Sequence, residues 1–203
     1  MAFDELVVSF FVDEVVGGFF INVPPGHVAC IYDRGRGVLS KVWGPGLHLK
    51  IPFWQIAKLF NAQIVEYTIT EDFDLKQREV LGDKPINTTS QDGKLIQIEG
   101  SVLFKINKSR APEIWENIGE NFVSKVIRPV SRSRIRSVIS GVTIAQLTAY
   151  QTQVEKKVKD ELNAIFNDKG LICEGFLLSE VKDLGDPSTP KDDKVILKEK
   201  TSS

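Results

Sequence analysis

Cysteine, histidine and methionine are scarce in this 203-residue chain, at two, two and one. Cys30 and Cys173 lie far apart, in no spacing that suits a metal or a redox pair. Both sit in apolar, strand-like runs, where a free cysteine behaves as a small buried hydrophobe. His27 and His48 have no Cys, Asp or Glu at ligand spacing, which removes the grounds for a zinc site. An excess of one charge is missing too. The net charge of −1 carries none of the basic footprint expected of a nucleic-acid binder. A hydrophobic fraction of 42% with 26% charged residues is globular in character.

Nucleophile and phosphate motifs are equally thin. There is no G-x-S-x-G elbow, and Ser131-Arg132-Ser133 and Ser202-Ser203 fall on a predicted helix and a tail. Gly35-Arg36-Gly37 lacks the third glycine and the lysine of a phosphate loop. Asp72 and Asp74 flank Phe73 and read as solvated loop carboxylates, since acid/base work needs a tuned, sheltered group. The expectation is a protein that is not an enzyme, with no catalytic, cofactor-binding or metal residues.

Long uncharged hydrophobic runs are also lacking. Residues 1–21 are apolar but interrupted by Asp4, Glu5, Asp13 and Glu14, so a simple spanning helix of about 20 apolar residues is disfavoured. No Lys or Arg precedes Arg34, so the basic start expected of a secretory signal is missing from these residues. On a helix, Phe3, Leu6, Val7, Phe10 and Phe11 form one apolar face. That face suits a bilayer interface or a neighbouring subunit, and Phe19 and Phe20 extend the candidate membrane-contact set. An extra strand or helix completing the core is the competing assignment. The acidic polar face argues against simple attraction to anionic lipid.

What is present is a β-rich first half. His27 to Tyr32 is a short apolar strand, followed by a glycine-rich turn from Asp33 to Gly37. Gly44-Pro45-Gly46 is a sharp turn. After it Leu47, Leu49 and Ile51 alternate with His48 and Lys50, which predicts a buried apolar face and a wet one. Val65, Tyr67 and Ile69 alternate again. Asp92-Gly93 suits a type I′ hairpin. Beyond it Ile96, Ile98, Val102, Phe104 and Ile106 share a parity with Gly100, where a bulge or close backbone approach is expected.

After Asn107 the period becomes helical. Ser109 is a candidate cap, Pro112 fits a first turn, and Ile114, Trp115 and Ile118 give the apolar side. A second helix is predicted from about Glu120 to Ser140. Thr143 with Gln146 makes a capping box for a third, whose core stripe is Val154, Val158, Leu162 and Ile165. Gly170 suits a left-handed cap. Leu171 to Val181 reads as a closing strand internal to a sheet, and the charged tail from Asp183 reads as disordered. The fold class is α+β. Three segments follow: an apolar leader over 1–21, one folded unit over 22–182, and a tail over 183–203.

Two further clusters stand out. Arg128, Arg132 and Arg136 recur at every fourth position and form one ridge on the second helix, with Arg134 to its side. The fork of arginine suits a subunit carboxylate or a phospholipid headgroup; a solvated face with local ion pairs is the alternative. Trp43 and the pair Phe53-Trp54 are the candidate exposed aromatics, with Trp54 favoured over Trp43.

The order and spacing of Pro25-Gly26-His27, Gly35 to Val38, Gly44 to His48, Ile51 to Trp54, Glu113 to Phe122 and Lys169 to Val181 resemble the SPFH (Band 7) domain of prohibitins, stomatins and flotillins, most closely prohibitins. The resemblance covers roughly residues 22–182. It implies a β-rich first lobe and an α/β second lobe divided near residue 107. It also implies a non-catalytic scaffold that self-assembles, alone or with a paralogue, at a membrane, organising lipids and client proteins. A membrane-bound AAA+ protease is an implied partner. The implied location is a prokaryotic cell membrane or the mitochondrial inner membrane. The edge of the β lobe would then meet the bilayer, with Phe53 and Trp54 in contact and the indole N–H wet. A soluble adaptor on the same domain, with its leader packed as core, is the rival. The family's long coiled coil has no counterpart in the 22 residues beyond Val181, which reads as a truncation or a minimal member.

Overall fold

The structure, a computed structural model, describes residues 17–71 and 81–185. The leader positions Phe3, Leu6, Val7, Phe10 and Phe11, the carboxylates Asp72 and Asp74, and the tail from residue 186 lie outside the described residues.

A helical turn, Gly17–Phe19, leads into β1 (Phe20–Val23), which pairs antiparallel with β4 (Gly46–Leu49). Between them in sequence lie β2 (His27–Asp33) and β3 (Gly37–Val38), joined by the tight turn that Gly37 closes at φ +80°. The other edge of β2 pairs with β5 (Gln55–Asn61), giving a three-stranded sheet in the order β3-β2-β5. These five strands make the first lobe.

A larger sheet begins two residues past Gln63. Its order is β10 (Leu171–Asp183), β9 (Leu95–Ile106), β6 (Val65–Ile69), β7 (Leu81–Asp83), and β8 (Ile86–Thr89) pairs with β9 beyond the end of β6. All its pairings are antiparallel except β6 with β7. The seam between sheets thus falls near Ala62–Ile64, whereas the resemblance implied one near 107. Strands β6 to β9 belong to the helical lobe because the closing strand pairs with β9 rather than with the first lobe.

Among the described residues four helices accompany these strands: α1 (Ala111–Asn117), α2 (Arg128–Ser140), α3 (Ile144–Ala149) and α4 (Gln151–Asp168). The longest, α4, lies on β10 and α2, while α2 also meets β8 and α1 meets β2. On β9 the side chains of Ile96, Ile98, Val102, Phe104 and Ile106 are all buried, as their parity predicts. Each contributes about 1.5–3 kcal/mol relative to exposure. On α4 Val154, Val158 and Leu162 are buried as expected, but the stripe ends on Phe166 rather than Ile165, which is only half-buried. A single core cluster runs from here to Val28, Cys30 and Phe60 of the first lobe.

Several local expectations change. The Asp92-Gly93 turn is not type I′, because only Gly93 is at positive φ. Gly93 N–H donates to Ser90 O and Ser90 N–H to Lys94 O, a three-residue loop with a glycine bulge. Asn107, not Ser109, supplies the cap, its side chain accepting from Ser109 N–H ahead of α1. The second helix opens with a wide π turn, Val123–Ile127, and Arg128 N–H donates to Val123 O. Pro129 follows directly and has no N–H to continue an α ladder. The Thr143–Gln146 capping box is present in both directions. The third helix, however, breaks at Tyr150 (φ −126°, ψ 36°) into α3 and α4.

Strand β10 lies at the sheet edge rather than inside. Its apolar residues are covered by α4, and so is part of its open backbone. Asn163 bonds both the N–H and the carbonyl of Cys173, at 2.8 and 3.0 Å. Glu155 accepts from Leu178 N–H at 2.9 Å and Gln151 donates to Leu178 O at 3.0 Å. Side chains stand in for a neighbouring strand, which hides an edge that would otherwise pair with another chain.

Candidate functional site

The β1–β4 ribbon presents its apolar face outward. Phe20 is directly opposite Leu49, and Asn22 opposite Leu47, so these four side chains share one face. Leu47 is 69% exposed and Leu49 66%. The alternation expected of Leu47, Leu49 and Ile51 is real, but the apolar side faces solvent. The opposite side is already filled by Val23, which is buried, and by His48, whose ring stacks on Trp43 with centroids 5.1 Å apart. Trp43 is thereby tied down, its backbone bridging Ala29 and its ring covered.

Next to this face the chain turns through Pro52-Phe53-Trp54. Trp54 N–H donates to Pro52 O at 2.7 Å around Phe53, which holds φ +60°. A three-residue turn with its central residue at positive φ is rare and strained, more so for a bulky side chain. Gln55 N–H donates to Ile51 O, and Ile51 N–H to the Gln55 side chain, closing the loop at its base. Phe53 is the most exposed of these residues at 74%, with Ile51, Trp54, Ile56, Phe19 and Phe20 also exposed. The first lobe therefore ends in an apolar tip built from β1, β4 and this turn.

One buried carboxylate holds the tip. Asp33, at the end of β2, is almost fully buried and accepts four hydrogen bonds. They come from Arg36 Nη2 at 2.9 Å, Gln55 Nε2 at 3.0 Å, Gly35 N–H at 3.0 Å and the Trp54 indole at 3.3 Å. The Arg36 hydrogen bond, then that of Gln55, holds the Asp33 carboxyl far below the usual carboxylate range despite its burial. The indole N–H of Trp54 is thus given to Asp33, where a wet N–H was expected. Arg34 N–H also donates to Trp54 O at 3.1 Å, which fastens the Arg-Gly-Arg turn against the tip.

The arginine ridge is partly committed elsewhere. Arg128 grips Asp83 through Nε and Nη2 at 2.8 and 2.9 Å. Arg132 reaches the same carboxylate at 3.1 Å and the carbonyls of Lys84 and Pro85. Tyr67 donates its hydroxyl to Asp83 as well, and burial with the Asp83 charge pushes its pKa up to about 12. These groups clamp α2 to the link between β7 and β8. Arg136 is exposed and Arg134 lies 3.8 Å from Glu161. A second buried carboxylate, Glu99, accepts from Thr70 and Lys182 in the same static manner.

Among the described residues no group of three His, Cys, Asp or Glu is arranged to hold a metal ion. Nor is any helix among them long and apolar enough to cross a membrane. A groove of about 410 Å³ at the seam of the lobes is lined by Phe60, Phe104, Phe122 and Val123, with the Lys58–Glu120 ion pair beside it. The tip aromatics are legible in the sequence, but Asp33, Gln55 and Asp83 are not. Arg36 and Gly35 are local to Asp33, but the partners that make these groups a tie between elements lie far away in sequence, as with the 22-residue gap from Asp33 to Gln55.

Among the described residues the chain thus has one mixed five-stranded sheet, two smaller antiparallel ones, and an apolar tip on the smaller lobe. Residues 21–192 match the SPFH domain / Band 7 family, and the chain belongs to it. It is similar to Prohibitin 1 of Mus musculus, 29% identical over 82% of this chain and 56% of that protein. Prohibitin 1 of Gallus gallus is 27% identical over the same shares. "Prohibitin-4, mitochondrial" of Arabidopsis thaliana is 25% identical over 70% of this chain and 45% of that protein. The chain spans about half the length of the curated relatives it matches.

Proposed function

We propose that this protein is a non-catalytic, prohibitin-like scaffold that associates with a membrane surface through the apolar tip of its first lobe. Membership of the SPFH family and likeness to prohibitins support the class. The observation that carries the reading is the continuous exposed face of Phe20, Leu47, Leu49, Ile51, Phe53 and Trp54. A cluster of large exposed apolar side chains marks a membrane or protein contact. Here its aromatic members cluster on a protruding turn, where ring side chains suit the bilayer interface.

In this reading copies of the chain, or of a paralogue, assemble on the membrane and organise lipids and client membrane proteins. A membrane-bound AAA+ protease is one such client. Arg136, exposed on α2, is the member of the arginine ridge best placed for a subunit or headgroup. The leader residues Phe3 to Phe11 would add to the same contact.

Liposome flotation tests the reading. The full chain is expected to rise with vesicles, and Leu49→Ser/Phe53→Ser is expected to remain below. A full chain that stays in the dense fraction would overturn the proposal in favour of a soluble adaptor. Equal flotation of the double variant would remove the tip from it. Native mass in mild detergent tests self-association, and a monomer would remove the scaffold.

A further inference from the structure

We infer that the first lobe prefers a membrane surface rich in anionic phospholipid headgroups, read by a collar of Arg34, Arg36 and Lys50 around the apolar tip. The inference rests on the membrane reading above and names the lipid that the tip selects. Charge is segregated in this chain. Overall it carries −1, yet in the folded part of the first lobe, between Gly17 and Val65, five cations, Arg34, Arg36, Lys41, Lys50 and Lys58, face a single acid, Asp33. The acids Asp4, Glu5, Asp13 and Glu14 of the leader lie outside the described residues. Asp33 is buried and ion-paired with Arg36 at 2.9 Å, so the uncompensated charge of the collar is that of Arg34 and Lys50.

Backbone contacts fix where the cations lie. Arg34 is exposed, and its N–H donates to the carbonyl of Trp54 at 3.1 Å, one residue from Phe53. A Cβ on Gly35 would stand 3.4 Å from the Trp54 ring, so the Arg-Gly-Arg turn lies on that indole. Arg36 holds Asp33 through Nη2 while its side chain stays 68% exposed. On the other side Lys50 sits between Leu49 and Ile51, its N–H bonded to Phe19 O at 2.8 Å. Among the described residues neither Arg34 nor Lys50 has a carboxylate within 4 Å.

This arrangement matches the layering of a bilayer surface. Apolar side chains enter the acyl boundary, while cations one or two residues away snorkel to the phosphates. Lys58 is the internal control. It is paired with Glu120 at 2.8 Å, at the seam with the second lobe.

The test uses the intact chain and two vesicle types, phosphatidylcholine alone and phosphatidylcholine with phosphatidylglycerol. The wild type is expected to bind the anionic vesicles more tightly, with the preference fading as salt is raised. Each cation near such a surface is worth about five-fold in partition. Arg34→Gln/Lys50→Gln should therefore weaken binding to anionic vesicles by about 25-fold and leave binding to neutral ones unchanged. Lys58→Gln should leave the preference intact. Equal wild-type binding to both vesicles would overturn the inference. So would a preference that survives Arg34→Gln/Lys50→Gln, or one that Lys58→Gln removes equally, since net charge alone would then be responsible. These results leave the membrane reading standing. Undiminished binding of Leu49→Ser/Phe53→Ser to both vesicle types would instead remove the membrane tip, and this inference with it.

Discussion

The indole N–H of Trp54 donates to Oδ1 of Asp33, 3.3 Å away and 21 residues earlier, joining the end of β2 to the turn that carries Phe53. The same carboxylate receives Gln55, Arg36 and the Gly35 N–H. This buried carboxylate with four donors adds side-chain ties to loops already joined by the β2–β5 pairing and by the Arg34 N–H to Trp54 O bond.

Asp33→Asn is expected to lower the melting temperature at neutral pH and to change the Trp54 fluorescence. Because the folded-state pKa of Asp33 lies below its ordinary value near 3.8, its contribution is fully present above about pH 5 and is lost as pH falls towards the folded value. The melting difference between wild type and Asp33→Asn should therefore be widest above about pH 5 and narrow below about pH 4. A difference that grows on acidification would contradict the hydrogen bonding described.

Asp83 does the corresponding work in the second lobe. Burial alone would raise its pKa, but the Arg128 hydrogen bond, the Lys84 N–H and the two arginine charges outweigh it and hold the carboxyl below the ordinary value. Asp83→Ala removes the shared acceptor of Arg128, Arg132 and Tyr67 and should cost about 2–3 kcal/mol in urea unfolding. Arg128→Ala should cost less, about 1 kcal/mol, because its side chain is half exposed and Arg132 remains. A double-mutant cycle should show coupling between Asp83 and Arg128. Strict additivity would mean the bidentate contact contributes nothing.

Much of this fold was legible in the sequence, and the exceptions share a cause. The parity of Ile96 to Ile106, the Thr143–Gln146 box and the Gly170 terminus are local patterns, and the structure has each. Alternation at Leu47, Leu49 and Ile51 likewise specified two faces. It could not say which one met the core, because Val23 and the His48–Trp43 stack fill the inner side. The run Leu171 to Val181 was legible as a strand but not as an edge, since α4 rather than another strand covers it. Asp33 and Asp83 were illegible for the same reason. A lone acid in a turn shows nothing of donors that arrive from distant strands and helices.

Gly100 gives a steric prediction. A Cβ there would sit 2.4 Å from the carbonyl oxygen of Leu177 on β10, a backbone atom that cannot rotate away. The two strands approach this closely beside the bulge between Leu178 and Glu180. Gly100→Ala should cost about 1–3 kcal/mol by overpacking, seen as a lower denaturant midpoint. An unchanged midpoint would show that β10 gives way freely.

Cys30 and Cys173 are buried, and burial pushes both thiol pKa values up to about 11. With so little thiolate at neutral pH, native protein should react with a disulfide reagent only as fast as it opens. Both thiols should then label promptly in denaturant. Rapid stoichiometric labelling of either one in the native state would show that its strand is accessible.

Phe53 carries the strain of the tip, and its replacement separates stability from binding. A bulky residue held at φ +60° costs roughly 1–3 kcal/mol, and at 74% exposure its ring recovers little by burial within the lobe. Glycine adopts the same backbone without that penalty but loses more chain entropy on folding, about 0.5–1 kcal/mol. Phe53→Gly should therefore stabilise the protein by about 1 kcal/mol while reducing vesicle flotation. An unfavourable conformation that is relieved by removing the side chain, at the expense of membrane binding, is what selection for a lipid contact would leave behind. If Phe53→Gly were less stable than wild type, the ring would be supporting the fold. If it floated as well as wild type, the strained turn would have no part in the membrane contact.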